Sequence, residues 1–238
     1  MLSVDTNVTG HIDSPSRFDF DGEAGRYDRW YEAAEGAMYD RLEKKAVSRY
    51  LPRNAQGMKL LEVGCGTGHW SEFFSELGFR VTGIDVSKSM IKIAQSKNIP
   101  NASFKIADAH SLPYSDNCFD VTTAITTLEF ARDAESVLQE MVRCTRKPSG
   151  QLVIGVLNAF ARLNRNRQEN SESLYAKARL FSPNQLRQLL SRYGKTQLFT
   201  VGFIPRWKHL LPLSPFIDAI GRLFQLKYGV FIAAEVRL

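Results

Sequence analysis

Apolar residues along this chain follow two spacings in turn. Short apolar or β-branched runs recur at Met58 to Val63, Arg80 to Asp85, Ala102 to Ala107, Phe119 to Thr126 and Gln151 to Leu157. Between them the apolar positions fall three or four apart, as in Trp70, Phe73, Phe74 and Leu77, or Met90, Ile91 and Ala94. The first spacing suits strands and the second suits helices with one buried face. Punctuation agrees with the pattern. Gly78 stops the first of these helices and Ser87 caps the second. A third helix is predicted over about Ala134 to Cys144, closed by the turn Lys147-Pro148-Ser149-Gly150. Strands and helices that alternate in this way predict an α/β protein with a doubly wound parallel sheet.

The flanks are patterned differently. Residues 1–20 have few apolar anchors and are expected to form a flexible tail, which leaves 21–238 as a single domain. Arg26-Tyr27-Asp28-Arg29-Trp30-Tyr31 concentrates three aromatics, and a helix is expected from Ala37 to Tyr50, with Met38, Leu42, Ala46 and Tyr50 on one face. Pro52 ends it. Downstream, Ser182-Pro183 reads as the cap and first residue of a helix that continues to Tyr193, where Gly194 stops it. Gln197 to Phe203 and Gly229 to Val236 are expected to be closing strands. Between them lies an insertion, 205–228, with three prolines and an amphipathic helix from Phe216 to Leu226.

Composition narrows the class without choosing a function. The 238 residues are 44% hydrophobic and 24% charged, ordinary for a globular protein with one sizeable core. No apolar run nears the length needed to span a bilayer, and the polar, acidic start does not resemble a secretory signal. Cys65, Cys118 and Cys144 have neither metal-ligand spacing nor the pattern of a disulfide framework, so no metal is expected and the cytoplasm is the expected compartment. The net charge of +6 is uneven: residues 1–139 carry −5 and residues 140–238 carry +11. The basic half could face an anionic partner or only solvent. Nucleic acid is not expected, because the positive charge is dispersed and no stacking-rich basic motif accompanies it.

The chemistry is concentrated where the first strand ends. Glu62-Val63-Gly64-Cys65-Gly66-Thr67-Gly68 places three glycines at alternate positions before a helix, two residues after an acid. A dinucleotide fingerprint needs Gly-x-Gly-x-x-Gly, and neither register supplies it, since His69 and Ser71 stand in the last place. A phosphate-cradling loop would need Gly-Lys-Ser/Thr, which is absent. Asp85 ends the second strand and Asp108 follows the third, so the glycines and both acids share one edge of a parallel sheet. Either aspartate alone could be a turn-former or a helix cap. Glu62, inside an apolar strand, needs a partner in any reading.

This combination resembles the first motif of class I S-adenosylmethionine-dependent methyltransferases, in particular the type 11 methyltransferase domain family. Further stretches carry the resemblance. Asp85-Val86-Ser87-Lys88-Ser89-Met90 looks like the segment whose bulky side chain packs on adenine. Ala107-Asp108-Ala109-His110-Ser111-Leu112-Pro113-Tyr114 is similar to x-Asp-Ala-x-x-Leu-Pro-Phe, and Arg143 to Gly150 resembles Arg-Val-Leu-Lys-Pro-Gly-Gly, with Ser149 where a second glycine is usual. The similarity covers about Tyr27 to Asn158, and more loosely Phe181 to Leu190. It implies a Rossmann-like, seven-stranded, mostly parallel sheet with helices on both faces and the last strand antiparallel.

It also implies S-adenosylmethionine as cofactor, with S-adenosylhomocysteine as product. Glu62, Gly64, Cys65, Gly66 and Gly68 would meet its methionine end. Asp85 and Val86 would meet the ribose, and Met90, Asp108 and Ala109 the adenine. Ala124 and Ile125 of the fourth strand would line the site, and Tyr27 and Trp30 would cover it. The ribose diol can donate twice to Asp85, and the adenine amine once to Asp108. The methyl acceptor is expected to be a small molecule, chosen by the N-terminal segment and the 205–228 insertion; the apolar face of the insertion's helix reads as core-facing, as a lid over a lipophilic acceptor, or as a surface that touches a membrane. Arg162, Arg165 and Arg167 could bind an anionic acceptor or merely be solvated. Positioning can carry much of a methyl transfer. If a base is used, Glu129 and His110 are the candidates; Glu129 stands where many relatives carry histidine. The chain is expected to be a monomer or a homodimer. A second reading of the same residues is a cofactor-binding sensor or interaction protein that does not methylate.

Overall fold

The computed structural model describes residues 15–203, 212–224 and 226–238. Seven strands form one sheet: β1 (Lys59–Val63), β2 (Arg80–Asp85), β3 (Ala102–Ile106), β4 (Val121–Ile125), β5 (Gln151–Leu157), β6 (Lys195–Val201) and β7 (Phe231–Arg237). Their order is β3-β2-β1-β4-β5-β7-β6. Every pairing from β3 to β5 is parallel, and β7 runs antiparallel to both β5 and β6. The chain reverses its winding between β1 and β4, which places the switch point at the carboxyl ends of those two strands.

Helices cover both faces. On the N-terminal side are α1 (Ala24–Tyr27), α2 (Arg29–Glu32) and α3 (Ala34–Ser48); α4 (His69–Glu76), α5 (Lys88–Ser96) and α6 (Ala134–Cys144) connect the parallel strands. Then follow α7 (Arg162–Glu169), a 3-10 turn over Leu174–Lys177, α8 (Pro183–Leu190) and α9 (Ser214–Leu223). One apolar layer joins Leu61, Val63, Ala124 and Ile154 to α6 and α8 through Val137, Leu138, Met141 and Leu186. The opposite layer joins Leu60, Val81, Val121 and Val153 to α3 and α4 through Ala46, Val47, Trp70 and Phe74. All five residues of β4 are buried, as a central strand requires.

Several boundaries differ from those expected. The first long helix spans 34–48 and buries Tyr39, Leu42, Ala46 and Val47, so its apolar stripe is rotated from the one read in the sequence. α8 ends at Leu190, because Ser191 already caps it. Gly194 serves β6 instead: a Cβ there would strike the Arg237 carbonyl of β7, and β6 therefore starts at Lys195, two residues early. β7 begins at Phe231, and the helix expected at 216–226 is α9.

The flexible tail needs a larger correction. Residues 1–14 lie outside the described residues, but 15–20 are docked. Ser16 bridges Ala131, the Arg17 amide donates to the Phe130 carbonyl at 2.7 Å, and Arg17 Nε donates to the Ala131 carbonyl at 2.9 Å. Among the described residues no helix is long and apolar enough to cross a membrane.

Candidate functional site: a cofactor cleft and an adjoining chamber

The loops at the carboxyl edge converge on a cleft open to solvent, with about 680 Å³ of free space. Gly64 has φ +70°, and a Cβ there would fall on the Thr127 side chain, so only glycine lets the β1 and β4 ends close together. Gly66 has φ +52°, and a Cβ there would meet nothing within 4 Å. Its bare backbone fronts open space where a ligand can approach. The Gly66 amide donates to Asp85 Oδ2 and the Ser87 amide to Asp85 Oδ1, each at 2.9 Å. Burial raises the Asp85 carboxyl above its usual range while these amides favour its ionised form. A carboxylate has about four acceptor sites, so both oxygens can still receive a ligand hydroxyl.

On the facing wall, Asp108 Oδ1 accepts from the His110 amide at 2.9 Å and lies 2.7 Å from His110 Nδ1. His110 Nε2 accepts from the Asp133 amide at 3.2 Å, which assigns the Nδ1 proton to the Asp108 side. Asp108 Oδ2 has no protein partner among the described residues. Met90 is 1% exposed and supplies an apolar wall beside Val86, Ala109 and Ile125.

A strap from the N-terminus covers this cleft. Phe20 packs edge-on against Phe130, with centroids 4.9 Å apart, and against Tyr27 at 6.5 Å. Beyond it, Asp21 Oδ1 accepts from Ser87 Oγ at 2.5 Å and from the Ser89 amide at 2.9 Å. Asp28 Oδ1 accepts from Thr67 Oγ1 at 2.5 Å, and Lys97 holds its other oxygen at 2.7 Å. The aromatic entry segment is thus tied to the glycine loop by its own acid.

Tyr27 and Thr126 line the cleft and also a second cavity of about 860 Å³. That chamber is walled by Trp30, Tyr31, Tyr39, Trp70 and Tyr175, with Glu43 and Arg167 among them. Thr126 has φ +49°, a strained conformation for a β-branched residue, and its amide donates to the Gly155 carbonyl at 2.8 Å. Such outliers cluster at functional sites.

The cleft therefore brings together Tyr27, Gly64, Gly66, Asp85, Val86, Met90, Asp108, Ala109, His110 and Ile125. Six further candidates stand elsewhere. Trp30 is in the second chamber, because α2 turns its ring toward Tyr39. Glu62 is 2% exposed and accepts from the Ser71 hydroxyl of α4; burial pushes its carboxyl up to about 8. The Cys65 side chain packs with Ile91, Ala94 and Phe104 below the loop. Gly68 caps α4 in the left-handed region, and Ala124 faces the core.

Glu129 is also off both walls. Its Oε1 accepts from the Leu157 amide at 2.6 Å, its carbonyl accepts from the Arg179 amide at 2.8 Å, and burial pushes its carboxyl up to about 8. Of the 205–228 insertion, residues 205–211 and 225, including Trp207, lie outside the described residues; the described part lines neither cavity. Among the described residues no group of three His, Cys, Asp or Glu could hold a metal.

Sequence reading passed over Phe20, Glu43, Thr126, Thr127, Phe130 and Tyr175. The two threonines had a usable signal, since they directly follow a strand that ends at the switch point. The others reach the site from helices and turns that no strand-end rule locates.

A family model described as a methyltransferase domain matches residues 34–196. An uncharacterized protein of Methanocaldococcus jannaschii is 29% identical over 177 residues, 74% of this chain and 80% of that protein. Demethylmenaquinone methyltransferase of Renibacterium salmoninarum is 37% identical over 98 residues, 41% of this chain; the match spans only 40% of that enzyme. An S-adenosylmethionine-dependent methyltransferase structure from Thermotoga maritima superposes with a TM-score of 0.71 at 23% identity, covering 92% of this chain and 97% of that one.

Proposed function

This chain belongs to the methyltransferase-domain family and is an S-adenosylmethionine-dependent methyltransferase, and from that premise we propose that its acceptor is a small, lipophilic molecule bound in the aromatic chamber. The carrying observation is the junction: Tyr27 and Thr126 belong to both cavities, so a molecule in the chamber abuts whatever fills the cleft.

The residues of the cleft fit the cofactor. Gly66 leaves backbone exposed where a Cβ would project into open space. Asp85 is held to receive the ribose hydroxyls, Asp108 Oδ2 is open to the adenine amine, and Met90 offers an apolar surface for the ring. When bound, the sulfonium supplies an activated methyl electrophile. Glu62 acts indirectly in this reading: through Ser71 it fixes the first turn of α4, and so the loop that leads into it.

The chain's own contribution is positioning. Both ring nitrogens of His110 are engaged and Glu129 is on neither wall, so neither is assigned a proton-transfer role. Aligning the two reactants can lower the barrier by about 7–11 kcal/mol without a base. The strap of residues 15–21, fixed at Ala131 and at Ser87, lays Pro15, Ser16 and Phe20 along the cleft wall. The relative that methylates demethylmenaquinone supports a lipophilic acceptor. So does α9, which leaves Phe216, Leu223 and Phe224 exposed in the basic half of the chain and could rest on an anionic membrane surface where such a molecule resides.

Incubation with methyl-labelled cofactor and a cell extract, followed by acidification and solvent partition, tests the reading. Label should appear in a protein-dependent product of the organic phase. Label confined to protein or nucleic acid would contradict it.

A further inference from the structure

Two ionisable side chains of the aromatic chamber have no hydrogen-bond or ion-pair partner among the described residues. α7 carries three arginines. Arg162 and Arg165 are exposed, and Arg165 donates to the Ala159 and Phe160 carbonyls. Arg167 turns inward. Its guanidinium lies 4.5 Å from the Trp30 ring centroid and 5.4 Å from that of Tyr175, on the chamber wall. Among the described residues no hydrogen bond or ion pair engages it. Five N–H donors are thus presented in one plane with no acceptor, which is the arrangement that grips a carboxylate with two parallel bonds.

Glu43 of α3 lines the same chamber, and no ion pair joins it to Arg167. Desolvation, with Asp40 and Glu129 nearby, pushes its carboxyl up to about 8, while Arg167 and Lys44 pull the other way. The remaining ionisable groups facing the chamber are Glu23 and Arg26, which pair with each other at the rim, and the phenols of Tyr27, Tyr31, Tyr39 and Tyr175. Burial therefore favours the protonated Glu43 carboxyl, which can both donate and accept, as a hydroxyl can. Of the two arginines on the chamber wall, Arg26 is paired with Glu23, and Arg167 has no ion-pair partner among the described residues. A cationic ligand is disfavoured, and an anion has a ready partner.

We propose that the chamber recognises a hydroxyaryl carboxylate, with its carboxylate on Arg167, its ring among Trp30, Tyr39 and Tyr175, and its hydroxyl paired with Glu43. This deepens the proposed function by naming the chemical class of the acceptor, and it rests on the chamber being the acceptor site.

Trp30 and Trp70 line the chamber, so tryptophan quenching reports its occupancy directly. The full-length protein is titrated at pH 7 with 4-hydroxybenzoate, phenol and tyramine, with and without saturating S-adenosylhomocysteine. The acid should bind about tenfold or more tightly than either of the others, the scale of a charge-assisted pair. Arg167→Met should remove that preference and leave S-adenosylhomocysteine affinity unchanged. Affinity for the acid should fall as pH rises through about 8, where Glu43 ionises and repels it, and Glu43→Gln should flatten that dependence. Equal or tighter binding of phenol or tyramine, absence of quenching by the acid, or an unaltered preference in Arg167→Met would each overturn the proposal. Failure of S-adenosylhomocysteine to bind would instead undermine the cofactor reading, and the titrations without it would still judge the chamber.

Discussion

The cleft and the chamber touch at Tyr27 and Thr126, yet their polar groups are held in opposite ways. In the cleft, the Asp85 carboxylate is fixed by the main-chain amides of Gly66 and Ser87, and Asp108 by the amide of His110. Those amides sit in loops whose course is set by parallel strands on either side. In the chamber, Arg167 and Glu43 project from helices α7 and α3, and among the described residues no main-chain group bonds their side chains. A group fixed by backbone can be precise without any particular neighbouring side chain. One fixed only by rings can be exchanged without disturbing the sheet. On the proposed reading, the cofactor's partners are set by the main chain of the fold and the acceptor's by replaceable side chains.

Gly64→Val should give the largest effect. It forces a branched residue to φ +70° and drives its Cβ onto Thr127. Backbone strain and overpacking together should lower stability by about 2–6 kcal/mol, visible as a drop in the denaturation midpoint. A wild-type midpoint would show that the close approach of β1 and β4 is not needed. Asp85→Ala should weaken S-adenosylhomocysteine binding by about 1–3 kcal/mol in calorimetry. Binding of 4-hydroxybenzoate in the chamber should hardly change, and a parallel loss of both would show that the cavities are not separable.

Acid–base behaviour sharpens the contrast further. Glu43, Glu62 and Glu129 each sit at about 8 in the folded chain, against about 4.5 for an ordinary glutamate. Between those values the folded state holds protons that the unfolded state has lost. Stability should therefore fall as pH rises from about 4.5 to about 8 and level off above, by at most about 1.4 kcal/mol per pH unit for each carboxyl. Glu129→Gln should reduce that slope by about one proton in denaturation curves taken across the range; an identical slope would remove Glu129 from the account. The smallest effect is expected for Ser87→Ala, which deletes the α5 cap and one tie to Asp21, at about 1 kcal/mol of stability. No change in its thermal midpoint would show that the strap holds without Ser87.

The same contrast explains what could be read from the sequence. β2, β5 and α6 have the expected bounds because period, cap and turn residues all agree there. Gly64, Gly66, Asp85 and Asp108 were legible because a parallel sheet turns strand ends into a single edge. Residues 15–20 read as a tail, since a strap fixed by main-chain bonds to Phe130 and Ala131 leaves no periodic trace. Glu43 looks like any charged residue of an amphipathic helix. Only tertiary packing against α2, α7 and the turn at Tyr175 reveals that it faces a cavity. Trp30, expected over the cofactor from the family resemblance, stands instead in the chamber wall, where its ring stacks on Tyr39 of α3.

A crystal structure with S-adenosylhomocysteine bound tests the central claim most directly. The ribose should lie on Asp85 and the adenine beside Asp108 and Met90, with the sulfur at the Tyr27–Thr126 junction facing the aromatic chamber. A sulfur turned away from that junction, with the chamber closed off from it, would contradict the account.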